Sequence, residues 1–173
     1  MIKLYLDFDG VILNTIDVTY ADLEKKNITD LDEIDEYYKK IDWFELIDNC
    51  EEINNSICNI KRLIKSNLYD VNILTHIKTE TEVKAKKKYL KSKLQDINII
   101  TVQFGTDKCD VVDCKNAILV DDYIKNLDKW YKKGGIPIKF SDKGKRCKYM
   151  AISSLGKLLD KYNEIEKLLT VSE

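Results

Sequence analysis

Apolar residues fall along this chain in two kinds of pattern. Five short runs are nearly continuous: Ile2 to Asp7, Val71 to Thr75, Ile97 to Val102, Ala117 to Val120 and Ile136 to Phe140. Strands buried on both faces read this way, because neither face alternates with water. Between the runs the spacing turns helical. Ile53, Ile57, Ile60 and Ile64 mark one helix face just before the second run. Thr79 and Glu82 form a capping box that opens a helix carrying Val83, Leu90 and Leu94. Near the C-terminus Leu155, Leu158, Leu159, Tyr162, Ile165 and Leu169 form a further amphipathic stripe, begun at Ser153 or Ser154. Strands alternating with helices predict an α/β fold, an open and mostly parallel sheet with helices on both faces.

Residues 14–51 break the alternation. They hold short helical patterns, Ile16-Tyr20-Leu23 and Ile34-Tyr37/Tyr38-Ile41, and no strand. A helical insertion directly after the first strand would overhang the C-terminal edge of the sheet, where open α/β sheets bind ligands.

The chain has 173 residues, enough for one core with an insertion, and a formal net charge of -1. That balance argues against a nucleic-acid partner. The lysines 84, 86, 87, 88, 91 and 93 read as the solvated face of their helix, near the end its dipole favours. No apolar run has the length of a membrane span. The start, MIKLYLDFDG, is interrupted by charge too early for a secretion signal. Five cysteines without CxxC spacing suit free thiols, and a cytoplasmic location is the expectation.

The chemistry-bearing residues gather at predicted strand ends. Asp7 and Asp9 follow the first strand, Thr75 ends the second, and Asp121 and Asp122 end the fourth. Lys108 approaches from GTDKCDVV. An isolated DxD also serves as a turn starter or helix cap, and a lone lysine is usually solvated. Together they place four carboxylates, a hydroxyl and an ammonium at one edge of one sheet.

The set and its order resemble the haloacid dehalogenase (HAD) superfamily, mostly phosphatases. Asp7-Phe8-Asp9-Gly10-Val11 is similar to its first motif, Ile73-Leu74-Thr75 to its second, Lys108 to its third and Ile118-Leu119-Val120-Asp121-Asp122 to its fourth. The resemblance implies a HAD-like three-layer Rossmannoid sandwich with parallel sheet order 3-2-1-4-5. Residues 1–13 and 52–173 would form the core and 14–51 a small helical cap. It implies a phosphomonoesterase in which Asp7 is the nucleophile and Asp9 the general acid and base. Gly10, Thr75 and Lys108 would hold phosphate. Mg²⁺ would be held by the Asp7 and Asp121 carboxylates and the Asp9 main-chain carbonyl. Asp122 would rank behind Asp121, holding a metal-bound water or orienting Lys108.

A closer resemblance is to the 5'(3')-deoxyribonucleotidases, through Asp107-Lys108-Cys109-Asp110-Val111-Val112 and the later Asp121-Asp122. It implies a nucleoside monophosphate as the small-molecule partner, with Trp43 or Phe44 stacked on its base and His76 near the substrate. Trp43 and Phe44 could equally fasten the cap to the core, and His76 could merely cap a helix. A sugar phosphate, another small metabolite, a polynucleotide end, or phosphate binding without catalysis are the alternatives.

Overall fold

A computed structural model describes residues 1–141 and 147–170. The expected core range, 52–173, includes residues 142–146 and 171–173, which lie outside the described residues. Six parallel strands form one sheet in the order β3-β2-β1-β4-β5-β6. They are β1 (Ile2–Leu6), β2 (Tyr69–Ile77), β3 (Asn98–Gln103), β4 (Ile118–Asp121), β5 (Ile136–Phe140) and β6 (Met150–Ile152). The expected order 3-2-1-4-5 holds, with β6 added beside β5. Three residues, Met150-Ala151-Ile152, are too short a run to stand out from a sequence pattern.

Alternation along β1 divides the core in two. Leu4, Leu6 and Phe8 join one buried cluster with Ile73, Ile118, Val120 and Ile138, while Tyr5 joins another with Leu74, Leu119, Leu127 and Trp130. Helices α4 (Ser56–Ser66) and α5 (Glu80–Lys93) contribute to the first cluster, as do α8 (Lys157–Asp160) and α9 (Tyr162–Thr170). Helix α6 (Lys108–Val111), through Cys109, and α7 (Ile124–Lys132) contribute to the second. The result is the expected sandwich of helix, sheet and helix. In α4 the buried apolar residues are Ile57, Ile60 and Leu63; Ile64 is 43% exposed, contrary to the expected stripe. The C-terminal stripe is two helices, and Leu155, Leu158 and Ile165 carry its burial.

Between β1 and α4 lie α1 (Thr15–Lys25), α2 (Leu31–Lys40) and α3 (Trp43–Asn49). Asp30 and Asp42 cap the last two by accepting main-chain N–H bonds. The buried face of α1 is Thr15, Thr19 and Leu23, whereas Tyr20 is exposed. The segment begins and ends at one place. Asn14 N–H donates to Glu51 O at 3.0 Å, and Ile53 N–H donates to Ile12 O at 3.0 Å. Among the described residues no helix is long and apolar enough to cross a membrane.

Candidate active site

The sheet register brings the motif ends together. Leu6 pairs with Ile73 on one side and Val120 on the other, so Asp7 just after β1 and Asp121 at the end of β4 stand beside Thr75, which does not end its strand as expected because β2 stays paired with β3 as far as Ile77. Asp7 N–H donates to Val120 O at 3.0 Å, which ties the start of the DxD turn to β4. The turn then folds back: Phe8 O accepts from Ile12 N–H and Leu13 N–H, at 2.9 and 3.2 Å. Phe8 is fully buried, as strand alternation requires.

Gly10 has φ +69°, a left-handed conformation that resists side chains. An added Cβ would also stand 2.5 Å from an Asp122 carboxylate oxygen. Its N–H donates to Leu13 O at 2.9 Å. The Gly10 N–H is thus engaged within the turn, and the missing side chain lets Asp122 approach closely.

Lys108 Nζ lies 3.0 Å from Asp7 Oδ1 and 2.7 Å from Asp121 Oδ2. Burial pulls its pKa down, but Asp121 and Asp7 outweigh that and leave it raised. Asp7 is pushed up to about 8, mainly by burial; Lys108 counters, while Asp121, Asp9 and Asp122 add to the rise. Asp122 is pushed up to about 7 by burial and then by Asp121. Carboxylate oxygens of Asp7, Asp121 and Asp122 all lie within 4.8 Å of one another. Three buried or half-buried carboxylates this close together suit a hard divalent cation with oxygen ligands.

Asp121, the last residue of β4, and Asp122 just after it have different surroundings. Asp121 accepts from Tyr123 N–H on Oδ1 at 2.7 Å, and from Lys108 and Asn126 Nδ2 on Oδ2, the latter at 2.9 Å. It is fully buried and orients Lys108. Asp122 faces Gly10, and its main-chain carbonyl accepts from Lys139 Nζ. Its carboxylate lies near those of Asp7 and Asp121.

A second lysine, Lys86 on α5, reaches the site. Read as part of a solvated face, it is instead 0% exposed. Its Nζ lies 2.5 Å from Asp9 Oδ2, 2.7 Å from Glu82 Oε1, 3.1 Å from Thr75 Oγ1 and 2.9 Å from His76 O. Burial lowers its pKa, but Asp9 and Glu82 override this and leave it raised. Thr15 Oγ1 donates to the other Asp9 oxygen at 2.7 Å. The Thr75 hydroxyl is thus engaged with Lys86, Asp9 and His76 O, and is fully buried. The missed signal was the pair Glu82 and Lys86, one turn apart on the helix that follows the Thr75 strand.

The remaining expected residues lie elsewhere. Trp43 is 4% exposed, donates its indole N–H to Tyr38 O at 3.2 Å and stacks on Tyr38. Lys86 Nζ lies 5.5 Å from its ring, so Trp43 backs the lysine and fastens α3 to the core. Phe44 lines a cavity of about 360 Å³ with Cys50, Lys88 and Tyr89, without any of the motif carboxylates. Both rings lie against α5, Trp43 beneath Lys86 and Phe44 beside Lys88. His76 Nε2 bonds Thr106 O at 2.9 Å and its ring meets Phe104 edge-on, which holds the loop leading to Lys108. Burial lowers its pKa. Its side chain serves that loop.

No protein-family model matches the sequence, and a search of curated proteins finds no match. Solved structures do match in fold. A phosphonoacetaldehyde hydrolase-like protein from Oleispira antarctica has a TM-score of 0.68 at 10% identity, covering 99% of this chain and 95% of that one. A haloacid dehalogenase-like family hydrolase from Xanthomonas campestris has a TM-score of 0.61 at 9% identity, covering 99% and 98%. A D,D-heptose 1,7-bisphosphate phosphatase from B. bronchiseptica, complexed with magnesium and phosphate, gives 0.59 at 15%, covering 95% and 99%. The fold is that of HAD hydrolases. Its strand order, with the DxD turn leaving the central β1, is the arrangement described above.

Proposed function

We propose that this chain is a divalent-metal-dependent phosphomonoesterase that works through an aspartyl-phosphate. The observation that carries the reading is Asp7: a carboxylate at the end of the central strand, held by Lys108 and crowded by Asp121 and Asp122. The HAD-like fold and the four-motif resemblance support it. Residues 14–51 serve as a cap over the edge that bears the site.

Asp7 Oδ attacks phosphorus as the bond to the leaving oxygen breaks, and Asp9 gives that oxygen its proton. A water then attacks the same phosphorus, Asp9 takes its proton, and the Asp7 carboxylate returns as inorganic phosphate leaves. Lys108 offsets charge beside Asp7 throughout. The residues that would hold Mg²⁺ are Asp7 and Asp122, with the Asp9 main-chain carbonyl and Asp121 beside them. Such an ion supplies charge neutralisation for phosphoryl oxygens and for the crowded carboxylates.

The proposed substrate is a nucleoside monophosphate, in a reducing compartment such as the cytoplasm. Support comes from the likeness of the Lys108 and Asp121-Asp122 segments to deoxyribonucleotidases, from free cysteines, and from exposed Phe104 and Tyr123 after β3 and β4. Incubating the chain with Mg²⁺ and a panel of phosphate monoesters, and measuring phosphate release, tests both levels. Turnover of sugar phosphates with none of nucleotides would overturn the substrate; no turnover of any ester would overturn the enzyme.

A further inference from the structure

The site holds a buried ion-pair group that the four motifs leave unused. Lys86 brings an ammonium into the interior at 0% exposure, and Glu82 comes with it from the same helix, 4% exposed. Burying a charged pair is costly, and hydrophobic residues of similar size usually serve stability as well or better. Stability alone therefore gives a weak reason for this lysine. Its geometry gives a stronger one. The ammonium has three strong donors. It shares them among four acceptors: one oxygen of Asp9, Glu82, Thr75 Oγ1 and the carbonyl of His76. The Phe8 and Trp43 rings lie 5.4 and 5.5 Å from Nζ and restrict where it can move. Thr15 takes the other Asp9 oxygen at 2.7 Å. Both oxygens of the carboxylate are thus held, one from α5 and the other from α1.

We propose that Lys86 is a positioning residue for Asp9, with Glu82 as its permanent counter-charge. Lys86 sets the direction of the Asp9 carboxyl towards the leaving oxygen. Glu82 keeps the ammonium paired whenever Asp9 turns its Oδ2 to a substrate, so the move never leaves a lone buried cation. Trp43 makes the arrangement depend on α3, and with it on the segment between β1 and α4. This inference rests on the phosphomonoesterase reading above.

Proton donation matters most when the departing oxygen is strongly basic. An alkyl phosphate needs it; p-nitrophenyl phosphate, whose phenolate leaves readily, needs it little. The experiment compares kcat/KM, which covers events up to departure of the alcohol, for the two esters with Mg²⁺ present. Lys86→Met should lower the value for the alkyl ester by about 10²-fold, within the usual range for general-acid catalysis, and by at least about tenfold less for the aryl ester. Asp9→Asn should show the same split, more strongly. A residue that only held the fold would lower both esters together. Circular dichroism melts accompany each variant, and if Lys86→Met loses its folding transition, Lys86→Gln, which keeps a neutral donor in the same pocket, is read by the same criterion. Equal losses on the two esters, or no loss, with active wild-type chain would overturn this inference alone. No turnover of either ester by the wild-type chain would overturn the phosphatase reading and this inference with it.

Discussion

The two aspartates of the DxD turn each have a buried lysine, and the lysines come from opposite layers of the sandwich. On one side Lys108, from α6, bridges Asp7 and Asp121. On the other Lys86, from α5, bridges Asp9 and Glu82. The balance differs. Around Lys108 there are three carboxylates, with Asp122 the third and Lys139 at the margin on its carbonyl. Around Lys86 there are two. The first side keeps an excess of negative charge that invites a cation. The second is nearly self-compensated and suited to holding one carboxyl in place. Two residues apart in sequence, Asp7 and Asp9 are therefore given different work by their surroundings.

The largest effect should come from Asp7→Asn. Loss of a nucleophile typically costs on the order of 10⁴-fold or more in turnover, and phosphate-release assays should register at least that. Melting of the metal-free variant at pH 8 should show the opposite sign, a higher midpoint than wild type, because an ionised buried carboxyl is gone. A fall instead would mean that Lys108 depends on Asp7 for its burial.

Trp43→Ala would strike only the Lys86 side. Removing a core aromatic usually costs about 3–5 kcal/mol, to be read by denaturant unfolding. If the variant keeps its stability but loses nucleotide turnover through KM, Trp43 touches substrate after all and the packing role assigned to it is wrong.

Asp122→Asn sharpens the excess-charge side. Magnesium affinity, measured calorimetrically, should fall about 10–100-fold, comparable to the loss of a supporting group at a metal site. A larger fall for Asp121→Asn would restore Asp121 as the leading ligand. The same side predicts a pH dependence. Asp7 and Asp122 have folded pKa values of about 8 and about 7 against an ordinary 3.8. Between those limits the folded chain keeps protons that the unfolded chain has lost, so metal-free stability should fall as pH rises from about 4 to about 8. Magnesium binds the ionised form and should raise the melting temperature more at pH 8 than at pH 5.

The smallest effect is local. Gly10→Ala should cost about 1–2 kcal/mol for a left-handed residue, plus whatever shift Asp122 makes to clear the new Cβ. Weakened magnesium binding at unchanged substrate affinity would show that the two residues act together.

Much of this was legible in sequence because it rests on local or strongly patterned signals. Continuous apolar runs marked five strands, and Asp7, Asp9, Lys108 and Asp121 stand beside them. Lys86 was not legible. In α5 the buried stripe is Glu82, Ala85, Lys86 and Leu90, so two charged residues occupy inward positions where hydrophobic periodicity gives no sign of them. Its neighbours in the KAKKK run are solvent-facing or half-buried lysines, and only the tertiary placement of Asp9 separates it from them. The roles of Trp43 and Phe44 stayed open for a related reason: an aromatic pair in an insertion reads the same whether it meets a ligand or another helix.

The junction of residues 14–51 has a consequence for how such a chain can change. The segment leaves and rejoins the sheet at adjacent points, with Asn14 bonded to Glu51 and Leu13 bridged to Glu52. A stretch whose ends already meet can be lengthened, replaced or removed at little loop-closure cost, leaving the register of all six strands intact. Two of the threads cut would matter to the edge that bears the site, Thr15 on Asp9 and Trp43 behind Lys86. A lineage could exchange the whole module and keep its chemistry by replacing those two.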